Sequence, residues 1–119
     1  MAYKTTVTGI GELASEMAEQ GLIIVFNQNA PAELAELSIL HTAAQLEQDV
    51  RQGDQVLFGD QTFTVTAVGE EANYTLGKMG HCTFCFDGAQ EAELPGQIVL
   101  SGSGLPDMKV GDRFEIHFQ

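Results

Sequence analysis

Apolar side chains recur along this chain in short runs, and the period of each run assigns the element. Residues 5–8 interleave threonine with Val7 up to Gly9 and Gly11, which predicts an opening strand. GELASEMAEQG follows with Leu13 and Met17 one turn apart among helix-favouring residues and closes on Gly21, the pattern of a short surface helix. LIIVF is rich in β-branched residues between Gly21 and the polar NQN turn, so it reads as a buried strand. PAELAEL opens with a proline, which a first helical turn tolerates, and predicts one or two helical turns. Ser38, Ile39, Leu40 and His41 then read as extended, placing a histidine at the end of a short apolar strand.

TAAQLEQDVRQGD is open between helix and loop. Beyond it QVLF and TFTVTAVG flank the turn GDQ as a hairpin. EEANYTLGKMG carries a weak helical signal between glycines, and HCTFCFDG returns to alternating aromatic and thiol side chains. QIVLSGSG and RFEIHF supply two further strands around the turn-forming GLPDMKVGD. Many short strands with glycine punctuation favour a mainly β fold, a small closed or nearly closed β-barrel with one or two short helices, over a parallel α/β sheet. DVRQGDQVLF and DMKVGDRFEI share an Asp, a Gly-Asp pair and following apolar residues at the same offsets. Glycine-aspartate before a strand is ordinary turn chemistry, and the match is read that way in preference to an internal duplication.

Composition narrows the function classes. The 119 residues suit one domain spanning 1–119, and 44% hydrophobic against 18% charged residues is enough apolar material to offset ordering entropy. Seventeen acidic against five basic residues give a net charge of -12, which repels phosphate backbones and anionic lipid, and Lys4, Arg51, Lys78, Lys109 and Arg113 are scattered. Nucleic acid is therefore excluded as a partner; a basic protein surface suits the charge better. The opening MAYKTTVTGI lacks the apolar core of a signal peptide, and the longest strongly apolar run, Leu22 to Phe26, is too short to span a bilayer as a helix. The expectation is a cytoplasmic protein without direct membrane insertion, whose two cysteines stay as thiols.

Three histidines are the candidates for chemistry, because imidazole is neutral and nucleophilic near cytoplasmic pH. His117 alternates with Phe114, Ile116 and Phe118 near the end of the chain and reads as structural, whereas His81 follows Gly80 at a strand entrance where a ring can face a cleft. The pattern alone does not choose an active site. Cys82 and Cys85 form a Cys-x-x-Cys pair beside His81, but residues three apart on a strand point to opposite faces, which argues against metal or redox work. No glycine loop leads to Lys-Ser or Lys-Thr, so a nucleotide-dependent kinase is disfavoured.

Read together, APAELAELSILH, VTAVG and GHCTFCFDGAQEAELPG closely resemble the glucitol/sorbitol-specific IIA family of the bacterial phosphoenolpyruvate-dependent sugar phosphotransferase system, over almost the whole chain. The resemblance implies a phosphotransferase component working through a phosphohistidine intermediate, with His41 as phosphoryl acceptor. It implies the histidine-containing phosphocarrier protein as donor, the IIB component of the membrane sugar permease as recipient, glucitol/sorbitol uptake as the setting, and no nucleotide, metal or other cofactor. His81 falls in the second matching block and is inferred as a helper at the same site; Thr42 and amides near Gly80 are further candidates to hold phosphoryl oxygens. Where members of the family can carry a second histidine two residues after the acceptor, this chain has Ala43. The acceptor is expected in a shallow site that two proteins reach in turn. The alternatives are a non-catalytic β-barrel binding or regulatory module with structural histidines, and a small metal-binding protein using His81, Cys82 and Cys85.

Overall fold

The computed structural model describes residues 2–119. Its strands are β1 (Ala2–Ile10), β2 (Leu22–Asn27), β3 (Ser38–His41), β4 (Gln55–Phe58), β5 (Gln61–Val68), β6 (Cys82–Cys85), β7 (Gln97–Ser101) and β8 (Arg113–His117). Its helices are α1 (Ala14–Glu19), α2 (Ala32–Ala35) and α3 (Ala72–Met79), three where the sequence pattern predicted one or two. The strands close into a barrel in the order β1-β3-β2-β6-β7-β5-β4-β8, with β8 returning to β1, so no edge is left open.

Alternation fills the barrel. Tyr3, Val7, Phe58, Phe63, Val65, Phe84, Ile98, Leu100, Phe114 and Ile116 are all buried in one interior cluster, in which Phe58 stacks on Phe114 at 5.4 Å between ring centroids. Residues 42–54 form a loop, not a helix. Leu46 and Val50 pack against the core, and the side-chain amide of Asn73 on α3 serves the Val50 backbone twice: its Oδ1 accepts the N–H at 2.7 Å and its Nδ2 donates to the carbonyl at 3.1 Å. Val50 is thus fixed by a side chain on α3 and not by a helical ladder of its own segment.

The two Gly-Asp segments are more than turn chemistry: they are equivalent parts of an internal duplication, contrary to the expectation from sequence. Gly53 N–H donates to the Val65 carbonyl at 2.9 Å, and Val65 N–H donates back to the Asp54 carbonyl at 2.8 Å. Gly111 and Asp112 make the same pair with Val7, both at 2.9 Å. Asp54 Oδ2 accepts the Arg51 N–H at 2.8 Å, as Asp112 Oδ2 accepts that of Lys109 at 2.9 Å. The rest of the chain follows suit. β1 pairs antiparallel with β3 through an irregularity between Val7 and Gly9, and β5 with β7 through one between Val65 and Ala67. β2 runs parallel to β3, and β6 to β7. The barrel is thus two copies of one unit, β1-α1-β2-β3-β4 and β5-α3-β6-β7-β8, and Thr-Val-Thr-x-x-Gly-Glu at 6–12 and again at 64–70 is its sequence trace. In both, the glycine (Gly11, Gly69) lies against a carbonyl that leaves no room for a Cβ. Since β2–β6 and β4–β8, the pairs that join equivalent strands, are antiparallel, the two-fold relation exchanges the ends of the barrel.

Candidate functional site

β3 and α3 together build the environment of His41. His41 pairs with Val7 of β1, so its side chain enters the barrel alongside that inward residue. The ring packs edge-on to Phe114 at 5.1 Å and to Tyr3 at 6.4 Å, and the residue is 0% exposed. Each ring nitrogen faces a backbone carbonyl: Nδ1 lies 2.8 Å from the Thr42 oxygen and Nε2 2.8 Å from the Gly80 oxygen. Burial holds the His41 pKa below the usual imidazole value, outweighing the two carbonyl contacts, which raise it. A neutral imidazole has one N–H. One of the two carbonyls therefore receives a hydrogen bond, and the other meets a lone pair.

Gly80 closes α3 in the left-handed region at φ +63, returning its N–H to the Leu76 carbonyl at 2.9 Å, while His81 N–H donates to Thr75 at 3.2 Å. The amide expected to serve phosphoryl oxygens is thus spent on the helix end, and the group Gly80 turns to the ring is its carbonyl. A Cβ at this position would stand 2.7 Å from His41 Cε1. Thr42 Oγ1 accepts the Thr6 N–H at 3.1 Å.

His81 lies at the same end of the barrel, directly after Gly80. Its Nδ1 is 3.1 Å from the Val25 carbonyl and its ring stacks on Phe26 at 4.6 Å. A carbonyl can only accept, so Nδ1–H of His81 is the donor in this contact, and the residue is half-buried. His117 stands apart: Phe114 and Ile116 point inward, and His117 pairs outside the barrel with Glu115, Nε2 to Oε1 at 2.9 Å. Cys82 belongs to the interior cluster and Cys85 to a small outer one, so the strand separates the two thiols. Burial pushes both up, Cys85 to about 11, away from the thiolate form that metals and redox chemistry use. An open groove of about 840 Å³ beside the start of α3 is lined by Asp49, Glu70, Glu91 and Glu93 together with one basic residue, Arg51.

The model of the family described as "PTS system glucitol/sorbitol-specific IIA component" matches residues 2–115. The chain belongs to this family. The glucitol/sorbitol-specific EIIA components of Shigella flexneri and of Escherichia coli (strain K12) are each 37% identical to it over 109 residues, covering 92% of this chain and 89% of the relative. The crystal structure of a PTS system IIA component from Enterococcus faecalis V583 shares the fold, with a TM-score of 0.79 at 24% identity over 97% of this chain and 98% of that one. Membership in the glucitol/sorbitol IIA family carries a phosphotransfer role in sugar uptake. Among the described residues no helix is long and apolar enough to cross a membrane.

Against expectation for a glucitol/sorbitol IIA chain, His41 is not in a shallow site but fully covered. Sequence reasoning also missed Tyr3. Its hydroxyl is buried without a hydrogen-bond partner among the described residues, and burial pushes its pKa up to about 12. The inward alternation of Tyr3 with Val7 was the signal available for it.

Proposed function

We propose that this chain is a phosphohistidine carrier in which His41 accepts a phosphoryl group from the histidine-containing phosphocarrier protein and passes it to the IIB component of a glucitol/sorbitol permease. The observation that carries this reading is the pair of carbonyls at 2.8 Å on the two nitrogens of a ring that burial keeps neutral. A purely structural histidine would have one acceptor for its N–H and one donor for its lone pair. His41 has two acceptors, so one nitrogen is left as an unpaired nucleophile. Thr42 directly follows His41 at the end of β3, and its carbonyl is tied to the backbone of His41 itself; Gly80 belongs to a different segment. Nδ1–H is therefore the fixed donor, to Thr42, and Nε2 is the attacking atom.

Phosphoryl transfer through a loose transition state asks mainly for in-line placement of the nucleophile. The fixed Nδ1–H sets ring orientation and tautomer. As the bond from phosphorus to the donor nitrogen breaks, a bond to Nε2 forms; the reverse sequence delivers the group to the next protein, and the chain's own proton stays on Nδ1 throughout. His81, the residue after Gly80, held by its Nδ1 contact to the Val25 carbonyl, serves as helper. The acidic groove at the same end suits a basic partner surface.

Complete burial of His41 favours the second reading, a non-catalytic barrel with a structural histidine. Intact mass after incubation with phosphoenolpyruvate, the general phosphotransfer enzyme and the histidine-containing carrier decides between them. The expected result is an acid-labile gain of one phosphoryl group in the wild type and none in His41→Gln, with the variant's circular dichroism unchanged. Labelling of His41→Gln at the wild-type rate overturns the assignment to His41, and no labelling of the wild type by active partners leaves the barrel as a binding module.

A further inference from the structure

We infer that Gly80 is a positioning residue for phosphoryl transfer: its carbonyl caps Nε2 of His41 in the resting protein and withdraws, with the last turn of α3, to admit the phosphoryl group. The inference rests on the reading of His41 as acceptor and goes beyond it by assigning what covers and uncovers the nucleophile.

Three observations converge on this residue. The ring is 0% exposed, and an oxygen 2.8 Å from Nε2 occupies the direction from which phosphorus must approach. A nitrogen–phosphorus bond cannot form while that oxygen is in place. Second, Gly80 is the residue that allows the close approach, since a Cβ would fall 2.7 Å from Cε1 and 3.1 Å from Nε2. Third, the other unit shows what the same backbone does when it has no such task. Gly21 closes the turn after α1 at φ +81 as Gly80 closes α3, but its carbonyl accepts the backbone N–H of Phe86 at 3.1 Å, extending the β2–β6 ladder, and a Cβ there would meet nothing within 4 Å. At the place equivalent to His41, paired with Val65 as His41 is with Val7, stands Leu100. The carbonyl that is locked into the sheet at one end of the barrel is turned onto an imidazole at the other.

Withdrawal loses little. With Nδ1 carrying the proton, the contact between Nε2 and the Gly80 oxygen joins a lone pair to a lone pair and holds nothing in place by itself. What keeps the cap shut is the helix end, Gly80 N–H to Leu76 and His81 N–H to Thr75, the latter long at 3.2 Å. Glycine supplies the backbone freedom for the turn to yield. No proton moves: the donor's nitrogen–phosphorus bond breaks, the bond to Nε2 forms, and the oxygen of Gly80 goes aside.

The test pairs Gly80→Ala with Gly21→Ala. Both place a side chain in the left-handed region, so both carry the same backbone penalty, and only Gly80→Ala pushes a methyl group onto the ring. Under the phosphocarrier assay Gly80→Ala is expected to accept the phosphoryl group about a hundredfold more slowly than Gly21→Ala, the scale of a small displacement at a reacting centre, through kcat with KM for the donor unchanged. Since Gly80→Ala could simply fold badly, a second measurement uses the unaltered protein. With carbonyl-13C glycine, phosphorylation is expected to shift the Gly80 resonance and leave that of Gly21 in place. A Gly80 carbonyl that moves no more than Gly21's, or equal rates for the two folded variants, overturns the cap. A wild type that takes no phosphoryl group, or takes it elsewhere than His41, instead overturns the phosphocarrier reading, so the two failures are distinguishable.

Discussion

The two ends of this barrel are built from the same unit and do different things. At one end α1 leads through Gly21 into β2, the glycine carbonyl joins the sheet, and the inward residue of the partner strand is Leu100, 0% exposed in an apolar core. At the other end α3 leads through Gly80 toward β6, the carbonyl leaves the sheet, and the inward residue is His41, equally buried but flanked by two oxygens. Burial alone therefore says little about function here. What distinguishes the ends is whether the polar groups are matched: every group named at the Leu100 end has its partner, and the His41 end carries a lone pair against a carbonyl and a Tyr3 hydroxyl with no partner among the described residues. Mismatches of this kind are costly in a low-dielectric interior and mark places where a fold serves something besides stability.

The most direct way to break the comparison is to move the histidine. Leu100→His in a His41→Gln background puts an imidazole at the equivalent position, where the glycine carbonyl is already committed to Phe86. The expected outcome is a loss of about 2–4 kcal/mol in urea unfolding relative to His41→Gln, from a buried polar ring without arranged partners, and no phosphoryl acceptance. Labelling of this protein would show that a histidine under either helix end suffices and that the Gly80 arrangement is incidental.

A smaller effect sharpens the repeat itself. Asp54 and Asp112 hold equivalent turns, but Asp54 is buried and accepts two amides, from Arg51 at 2.8 Å and Gln119 at 2.9 Å, whereas the bond recorded for the Asp112 carboxylate is the one from Lys109. Asp54→Ala is expected to lose about 2 kcal/mol and Asp112→Ala about 1 kcal/mol in the same unfolding measurement. Equal losses would mean that the shared turn dominates and the contact with Gln119 adds nothing.

How much of this was legible in the chain depends on how local each feature is. Strands such as QVLF and TFTVTAVG follow from alternation and turn residues, and they stand where the pattern put them. The repeat was half legible: DVRQGD and DMKVGD were visible but weighed as turns, and the firmer signal, TVTGIGE against TVTAVGE, lies in strands whose equivalence becomes evident through their partners. The segment 42–54 is ambiguous in the sequence, and one of its fixed points, Val50, is held by Asn73 on a helix remote in sequence. The pattern placed His41 at the end of an apolar strand, but its choice as candidate acceptor came from the family resemblance; the strand period separated Cys82 from Cys85. The cover over His41 was not legible. A glycine after a helix reads as an ordinary C-cap, and nothing in GKMGHC says that the missing Cβ makes room for a ring contributed thirty-nine residues earlier.

The smallest expected effect is a pH dependence that one end has and the other lacks. Burial lowers the His41 pKa in the folded protein, so below the ordinary imidazole value of about 6.5 the unfolded chain takes up a proton that the folded barrel refuses. Stability then rises with pH across the window between the lowered folded value and the unfolded one; as pH falls through that window stability is lost, and below the folded value the loss levels off. The slope from one such group is at most about 1.4 kcal/mol per pH unit. Leu100 has no counterpart to this. Other groups titrate in the same range, so the measurement is the difference between wild type and His41→Gln in urea unfolding at a series of pH values: the wild type should weaken relative to the variant as the solution is acidified from neutral, and the gap should stop growing at the folded pKa. The opposite sign, a wild type that gains on the variant in acid, would mean that the two carbonyls outweigh burial and hold an imidazolium between them. That ring would have no lone pair for phosphorus, and the Gly80 oxygen would be a hydrogen-bond partner of the charged ring instead of a cap over a nucleophile.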